Sequence, residues 1–210
     1  MTRKTPKKGA HRLRRLRRSE LPVDTKALAR YLIGKFLVRE TPDGRMSGRI
    51  VESEAYVVGD AAAHTYRGMT ARNQSMYLER GHAYVYFVYG SWFAFNVSAE
   101  AEGVGGGVLL RALEPLDGVE LMRRRRPDAP LHKLASGPGC LATALDIDRR
   151  LDGLDLCAPG PIWLGASARV ARATSIGTSV RIGITKEAHR LLRFYERANP
   201  CVSGPKRLRV

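Results

Sequence analysis

The chain of 210 residues carries 36 Lys/Arg against 20 Asp/Glu, a formal net charge of +16, and is 44% hydrophobic. That suffices for one buried core, and its field gathers polyanions more strongly than solubility requires, so nucleic acid is the expected partner. No run of about 18 apolar residues marks a membrane span, no apolar stretch near the start marks a signal peptide, and an intracellular protein follows. Cys140, Cys157 and Cys201 form no CxxC pair, and His11, His64, His82, His132 and His189 lack metal-ligand spacing, so neither a disulfide framework nor a zinc site is expected.

Residues 1–18 hold nine Lys/Arg and no acid, which supplies nine of the sixteen net charges and reads as a basic disordered arm. Residues 19–210 read as one domain. TKALARYLIGK places Leu28, Leu32 and Ile33 at helical spacing behind the capping residue Asp24. KFLVRE, TPDG and RMSGRIVESEAY read as strand, turn and strand. Within the second strand, alternation puts Ile50, Glu52, Glu54 and Tyr56 on one face. A half-buried carboxylate there is either a general base toward water, its pKa lifted by desolvation, or the partner of an arginine. Spacing alone does not choose between Glu52 and Glu54.

GDAAAHTYRGMTARNQSMYLERG follows as a long polar connection, expected to run over the surface. AYVYFVYG, SWFAFNVSA and, after a Gly-rich bend, VLLRALEP form a predicted meander with Tyr89 at a hairpin tip and Pro115 closing the third strand. Tyr89 has little to pack on and is either an apolar wedge for base pairs or an incidental exposure. Neighbouring rings such as Tyr84, Tyr86 and Trp92 are core residues or stacking platforms. Arg111, inside an apolar strand, calls for a carboxylate, and Glu54 is available. Asn96, equally polar in an apolar strand, is most simply a backbone bridge. DGVELMRRRR is a predicted helix with a basic last turn. SGPG opens another helix, whose free N–H groups suit a phosphate. PIWLG, SVRIGIT and LRFYER are read as short strands.

VESEAY, DAAAH, YVYFVYG, FNVS, VLLRALEP, SGPG, ALDI, VRIGI and LRFY occur in this order over residues 22–204. The chain thereby resembles the alkyladenine (3-methyladenine) DNA glycosylase family, the single-domain type that includes the mammalian repair enzyme. The resemblance implies a mixed α/β (α+β) single domain, a curved antiparallel sheet surrounded by helices, with a hairpin that inserts into DNA. It implies an enzyme that flips alkylated purines, and possible deaminated or etheno ones, out of duplex DNA and hydrolyses the N-glycosidic bond. Glu54 then matches the general base, with Arg111 and the Ile182 carbonyl holding carboxylate and water, and Glu52 matches a structural position. Tyr56, His64 and Tyr86 match the pocket around the extruded base, Asn96 the residue that disfavours guanine, and Tyr89 the intercalating wedge. Thr70, Arg72, Gly139 and Arg149 match contacts to the DNA backbone. A monomer without cofactor, acting on double-stranded DNA with damaged purines, is implied. The chain departs from the family pattern at Ala71, Ser91 and Cys140. The rival reading is a non-enzymatic basic nucleic-acid-binding protein.

Overall fold

A computed structural model describes residues 12–88, 90, 92–167 and 175–209. Its strands are β1 (Leu13–Arg15), β2 (Phe36–Thr41), β3 (Gly44–Tyr56), β4 (Ala83–Val88), β5 (Trp92–Ser98), β6 (Gly107–Asp117), β7 (Ile162–Ser167), β8 (Ile176–Ser179) and β9 (Arg193–Glu196). They form one antiparallel sheet in the order β1-β7-β2-β3-β6-β5-β4, with β9 also paired to β3 and β8 paired to β9. Helices α1 (Thr25–Leu32), α2 (Val119–Arg125) and α3 (Pro138–Ala144) pack their apolar stripes on it. Leu28, Leu32, Met122, Leu141 and Ala144 share one buried cluster with Leu37, Val85, Phe95 and Leu110 of the strands. The mixed fold with a large antiparallel sheet agrees with the sequence reading, and no helix among the described residues is long and apolar enough to cross a membrane.

Local chemistry accounts for the elements. The Asp24 carboxylate accepts a hydrogen bond from the Ala27 N–H at 2.6 Å and caps α1, an interaction worth about 1 kcal/mol in such positions. The hairpin of β4 and β5 pairs Val88 with Trp92, and β5 pairs in turn with β6, so the meander is as expected; Tyr89 and Ser91 lie outside the described residues. The bend before β6 needs glycine because a Cβ on Gly105 would stand 2.6 Å from the Tyr77 ring.

Four expectations change. Residues 12–18, assigned to the arm, include β1, which pairs with β7, and Arg18, whose guanidinium reaches Asp155 at 2.6 Å; residues 1–11 lie outside the described residues. Pro115 does not end the third strand. It sits opposite Gly48 beside a register shift, where a missing N–H is tolerated. SVRIGIT is extended only up to Ser179, and Val180–Thr185 leaves the sheet. The polar connection after β3 is not a surface loop throughout, since Asp60, Ala63, Thr65, Asn73 and Ser75 are buried.

Candidate active site

Strand β3 lies at the middle of the sheet, with β6 on one side and β9 on the other around Glu52–Glu54. Both carboxylates are fully buried. Simple alternation fails just before them. In the β3–β6 register, Ile50 faces Leu113, Glu52 faces Ala112 and Ser53 faces Leu110, so Val51 on β3 and Arg111 on β6 are each an extra residue. The bulge turns Ile50 into the main core, together with Ala55, while Val51 joins a second cluster with Ala112, Tyr195, Cys201 and Val202. Ile50 therefore does not share a face with the glutamates. Bulges beside active sites commonly re-aim a side chain, and here the residue re-aimed is Arg111.

Arg111 reaches both carboxylates, Nε to Glu52 Oε1 at 3.0 Å and Nη1 to Glu54 Oε1 at 3.3 Å. Glu52 is otherwise saturated. It accepts from Arg193 Nε at 2.7 Å and from the Ser203 N–H at 2.6 Å. Glu54 has lighter company: the Ile182 N–H donates to Oε1 at 2.8 Å and the Tyr56 hydroxyl to Oε2 at 3.1 Å. Burial pushes the Glu54 carboxyl above the ordinary carboxylate range, with the Arg111 cation and the Ile182 N–H acting in the opposite direction. A carboxylate so held is more basic than one in water, which is what proton abstraction from water requires.

Aromatic rings gather beside it. The His64 and Tyr86 rings lie 4.5 Å apart at 69°, Tyr84 stacks on Tyr86 at 5.3 Å, and the Tyr84 hydroxyl shares a hydrogen bond of 2.9 Å with His64 Nδ1. Desolvation and the Arg72 cation hold His64 below the usual imidazole range, so the ring is neutral at neutral pH. The Arg72 guanidinium lies 5.6 Å from the Tyr86 ring. Burial raises the Tyr84 hydroxyl to about 12.

The chain matches the family model described as "Methylpurine-DNA glycosylase (MPG)" over residues 19–200. The chain belongs to the methylpurine-DNA glycosylase family. Among its relatives, proteins of Mesorhizobium japonicum, Paraburkholderia phytofirmans and Methanocella arvoryzae each carry the name "Putative 3-methyladenine DNA glycosylase". The first is 64% identical, covering 91% of this chain and 91% of its own. The second is 49% identical over 93% and 91%, the third 45% identical over 85% and 90%. The resemblance read from the motif blocks, and with it the reading of a DNA glycosylase, is thereby borne out.

Set against that family, Glu54, Arg111, Ile182 and Tyr56 come together in one contact network. Ile182 touches Glu54 through its N–H, whereas the group named from sequence is its carbonyl. Asn96 is buried and donates from Nδ2 to the Tyr84 carbonyl at 3.1 Å, the simple bridge its position suggested. Thr70 donates its N–H to Asn73 Oδ1 at 2.7 Å. Arg149 is tied to the Val85 carbonyl and, at 3.4 Å, to Asp152, which anchors it to the base of the β4–β5 hairpin. Gly139 packs on Trp92, whose indole carbons lie 3.2–3.3 Å from where a Cβ would be. With Val88, Ala94 and Cys140, these residues line an apolar cavity of about 330 Å³ that does not include Glu54. On the same hairpin, Phe87 and Trp92 are exposed.

Sequence reading assigned no role to Asn73, Asp60, Arg181 or Arg193, although the last three fall inside the quoted motifs DAAAH, VRIGI and LRFY. Asn73 is buried, and its Nδ2 donates to the carbonyls of His64 at 2.8 Å and Gly68 at 3.1 Å, so it fixes the backbone that carries His64. An amide with three bonds inside the protein is costly to lose. Asn73→Ala is expected to lower pocket order before global stability, read as faster amide exchange over residues 64–70 and about tenfold weaker excision. Unchanged exchange there would show that the loop is held by other contacts. The signal that could have found Arg181 and Arg193 is the one used for Arg111, an arginine between apolar neighbours.

Proposed function

We propose that the protein excises alkylated purines from duplex DNA, with Glu54 activating the water that displaces the base. The observation that carries this is Glu54 itself: a fully buried carboxylate held by Arg111, the Ile182 N–H and the Tyr56 hydroxyl, in a chain of this family. The water oxygen forms a bond to the sugar's anomeric carbon while the N-glycosidic bond breaks. The bonding pair leaves with the purine, and Glu54 takes the proton, leaving an abasic site. A ring-alkylated purine that carries a positive charge departs as a neutral base and is drawn to the faces of Tyr56 and Tyr86. Extrusion is needed because the anomeric bond is shielded in the stack, and it is cheapest for damaged bases. Deaminated and etheno purines are proposed as further substrates. Tyr89 is proposed as the wedge that fills the gap, and Thr70, Arg72, Gly139 and Arg149 as backbone contacts. Among the basic residues ahead of β1, Arg3, Lys4, Lys7 and Lys8 add sequence-independent affinity through phosphate contacts. A non-enzymatic binding protein has no use for a buried carboxylate beside its aromatic surface.

The test is a panel of duplexes, each with one lesion, incubated with the protein and then cleaved with alkali at abasic sites. Cleavage of none of them would overturn the reading. The pH profile is a second test. Water activation needs the ionised carboxylate, so excision falls as pH is lowered through the Glu54 midpoint. Burial places that midpoint above an ordinary glutamate. A single-turnover profile whose acid limb sits at or below about pH 4.3, the value of a free glutamate, would exclude Glu54 as the base. Asn96→Ser probes specificity: the smaller side chain is expected to raise relative excision of guanine-type lesions, and a variant that gains none leaves Asn96 only its bridge to Tyr84.

A further inference from the structure

A second buried ion pair lies next to the proposed base and takes no part in the chemistry above. Asp60 and Arg181 are both inaccessible to solvent and pair through two contacts, Nη1 to Oδ2 and Nη2 to Oδ1, the latter at 3.1 Å. The same guanidinium donates to the Ala55 carbonyl at 3.1 Å and lies 4.7 Å from the centre of the Tyr56 ring. Asp60 in turn accepts from the Ala62 N–H at 2.9 Å, at the entry to the segment that carries His64. Arg181 thus grips the peptide between Glu54 and Tyr56, the Tyr56 ring and the pocket segment. Its chain neighbour Ile182 supplies the N–H on Glu54 Oε1. Among the described residues, the two hydrogen bonds to Glu54, beside its ion pair with Arg111, therefore originate on groups that this one side chain holds.

We propose that the Asp60–Arg181 pair is a positioning device that keeps the Ile182 N–H and the Tyr56 hydroxyl on Glu54. This rests on the reading of Glu54 as the base. A buried pair of this kind is a poor source of stability, since desolvating two charges offsets most of their attraction, while its planar, bidentate geometry fixes orientation as a lysine would not. The groups that face Glu54 are Arg111 from β6, Glu52 and Tyr56 from β3, and the Ile182 N–H; Tyr86 from β4 lies close enough to feel its charge. Losing the Ile182 N–H makes the carboxylate harder to ionise, so a misplaced Ile182 moves the acid limb of the rate profile upward.

The experiment compares single-turnover pH profiles of wild type, Arg181→Lys and Asp60→Asn on one excised lesion duplex. Arg181→Lys keeps the charge and loses the fork; Asp60→Asn removes a nearby negative charge, which on electrostatics alone would move the midpoint down. Positioning predicts that both variants move it up, by about one unit for one lost charge-assisted hydrogen bond, with the plateau rate about tenfold lower. A midpoint unchanged in Arg181→Lys, or lowered in Asp60→Asn, overturns the proposal. A loss of active protein that is constant across the pH range leaves the midpoint unmoved, and circular dichroism over the same range separates acid unfolding from titration of Glu54. If Asp60→Asn yields no folded protein, Asp60→Glu keeps the charge, and the same upward shift is required. Failure of wild type to excise any lesion would instead remove the functional reading beneath it.

Discussion

Glu54→Gln is expected to fold, to bind damaged duplex as wild type does, and to lose nearly all excision. The amide keeps the side chain's shape and can still accept from the Ile182 N–H and Arg111 through its oxygen, while its nitrogen faces the Tyr56 hydroxyl in place of Oε2. What it cannot do is take a proton from water. General-base contributions run to about 10²–10⁴-fold, and the single-turnover rate is expected to fall within or beyond that range. Retention of more than about a tenth of the wild-type rate would show that another group activates the water. Glu52→Gln is the control. Its carboxylate is taken up by Arg111, Arg193 and the Ser203 N–H, so its loss acts on excision only through Arg111, and rates of its folded fraction stay well above those of Glu54→Gln. Equal losses would reverse the two assignments.

The two glutamates also show how far the sequence could be read. Helix α1, the β2–β3 turn and the meander follow from periodicity and turn residues, because these depend on neighbours a few positions apart. The same alternation rule put Ile50, Glu52, Glu54 and Tyr56 on one face and failed at Val51. A bulge depends on which residue of a partner strand about sixty positions away stands opposite, and local pattern carries no trace of it. Arg111 was legible as a buried cation seeking a carboxylate. That it answers Glu52 and Glu54 together was not, since the double reach comes from its being the extra residue on β6. Asp60 escaped for the same reason, and Arg181, a cation between apolar neighbours, gave no hint of its partner; the two become a pair only when the segment after β8 folds back on the end of β3. The choice of Glu54 over Glu52 came from resemblance, and the geometry gives it a physical ground: Glu52 has two guanidinium partners, Glu54 shares one of them.

Glu52→Ala is expected to be the most destabilising single change in the site. The residue is fully buried and is the counterion of Arg193, itself fully buried, through Nε at 2.7 Å. Arg193 keeps three other acceptors, Ser179 Oγ at 2.7 Å, the Leu208 carbonyl at 2.8 Å and the Ser203 carbonyl at 3.0 Å, but these are neutral. Without Glu52, Arg111 and Arg193 have only Glu54 between them, and the Ser203 N–H loses its acceptor. Leaving a buried charge uncompensated costs about 3–5 kcal/mol. In a chain of this length that corresponds to a drop in Tm of about 6–20 °C. In Glu52→Ala/Arg193→Met the orphaned cation is gone, so part of the stability returns although one more hydrogen-bonding side chain has been removed. Thermal denaturation of the two variants and of Arg193→Met alone closes a double-mutant cycle. A loss below about 1 kcal/mol in Glu52→Ala, the range of exposed ion pairs, would mean that water reaches the site and that neither carboxylate is held in a dry interior. That result would also remove the reason for Glu54 to be a stronger base than a glutamate in solution.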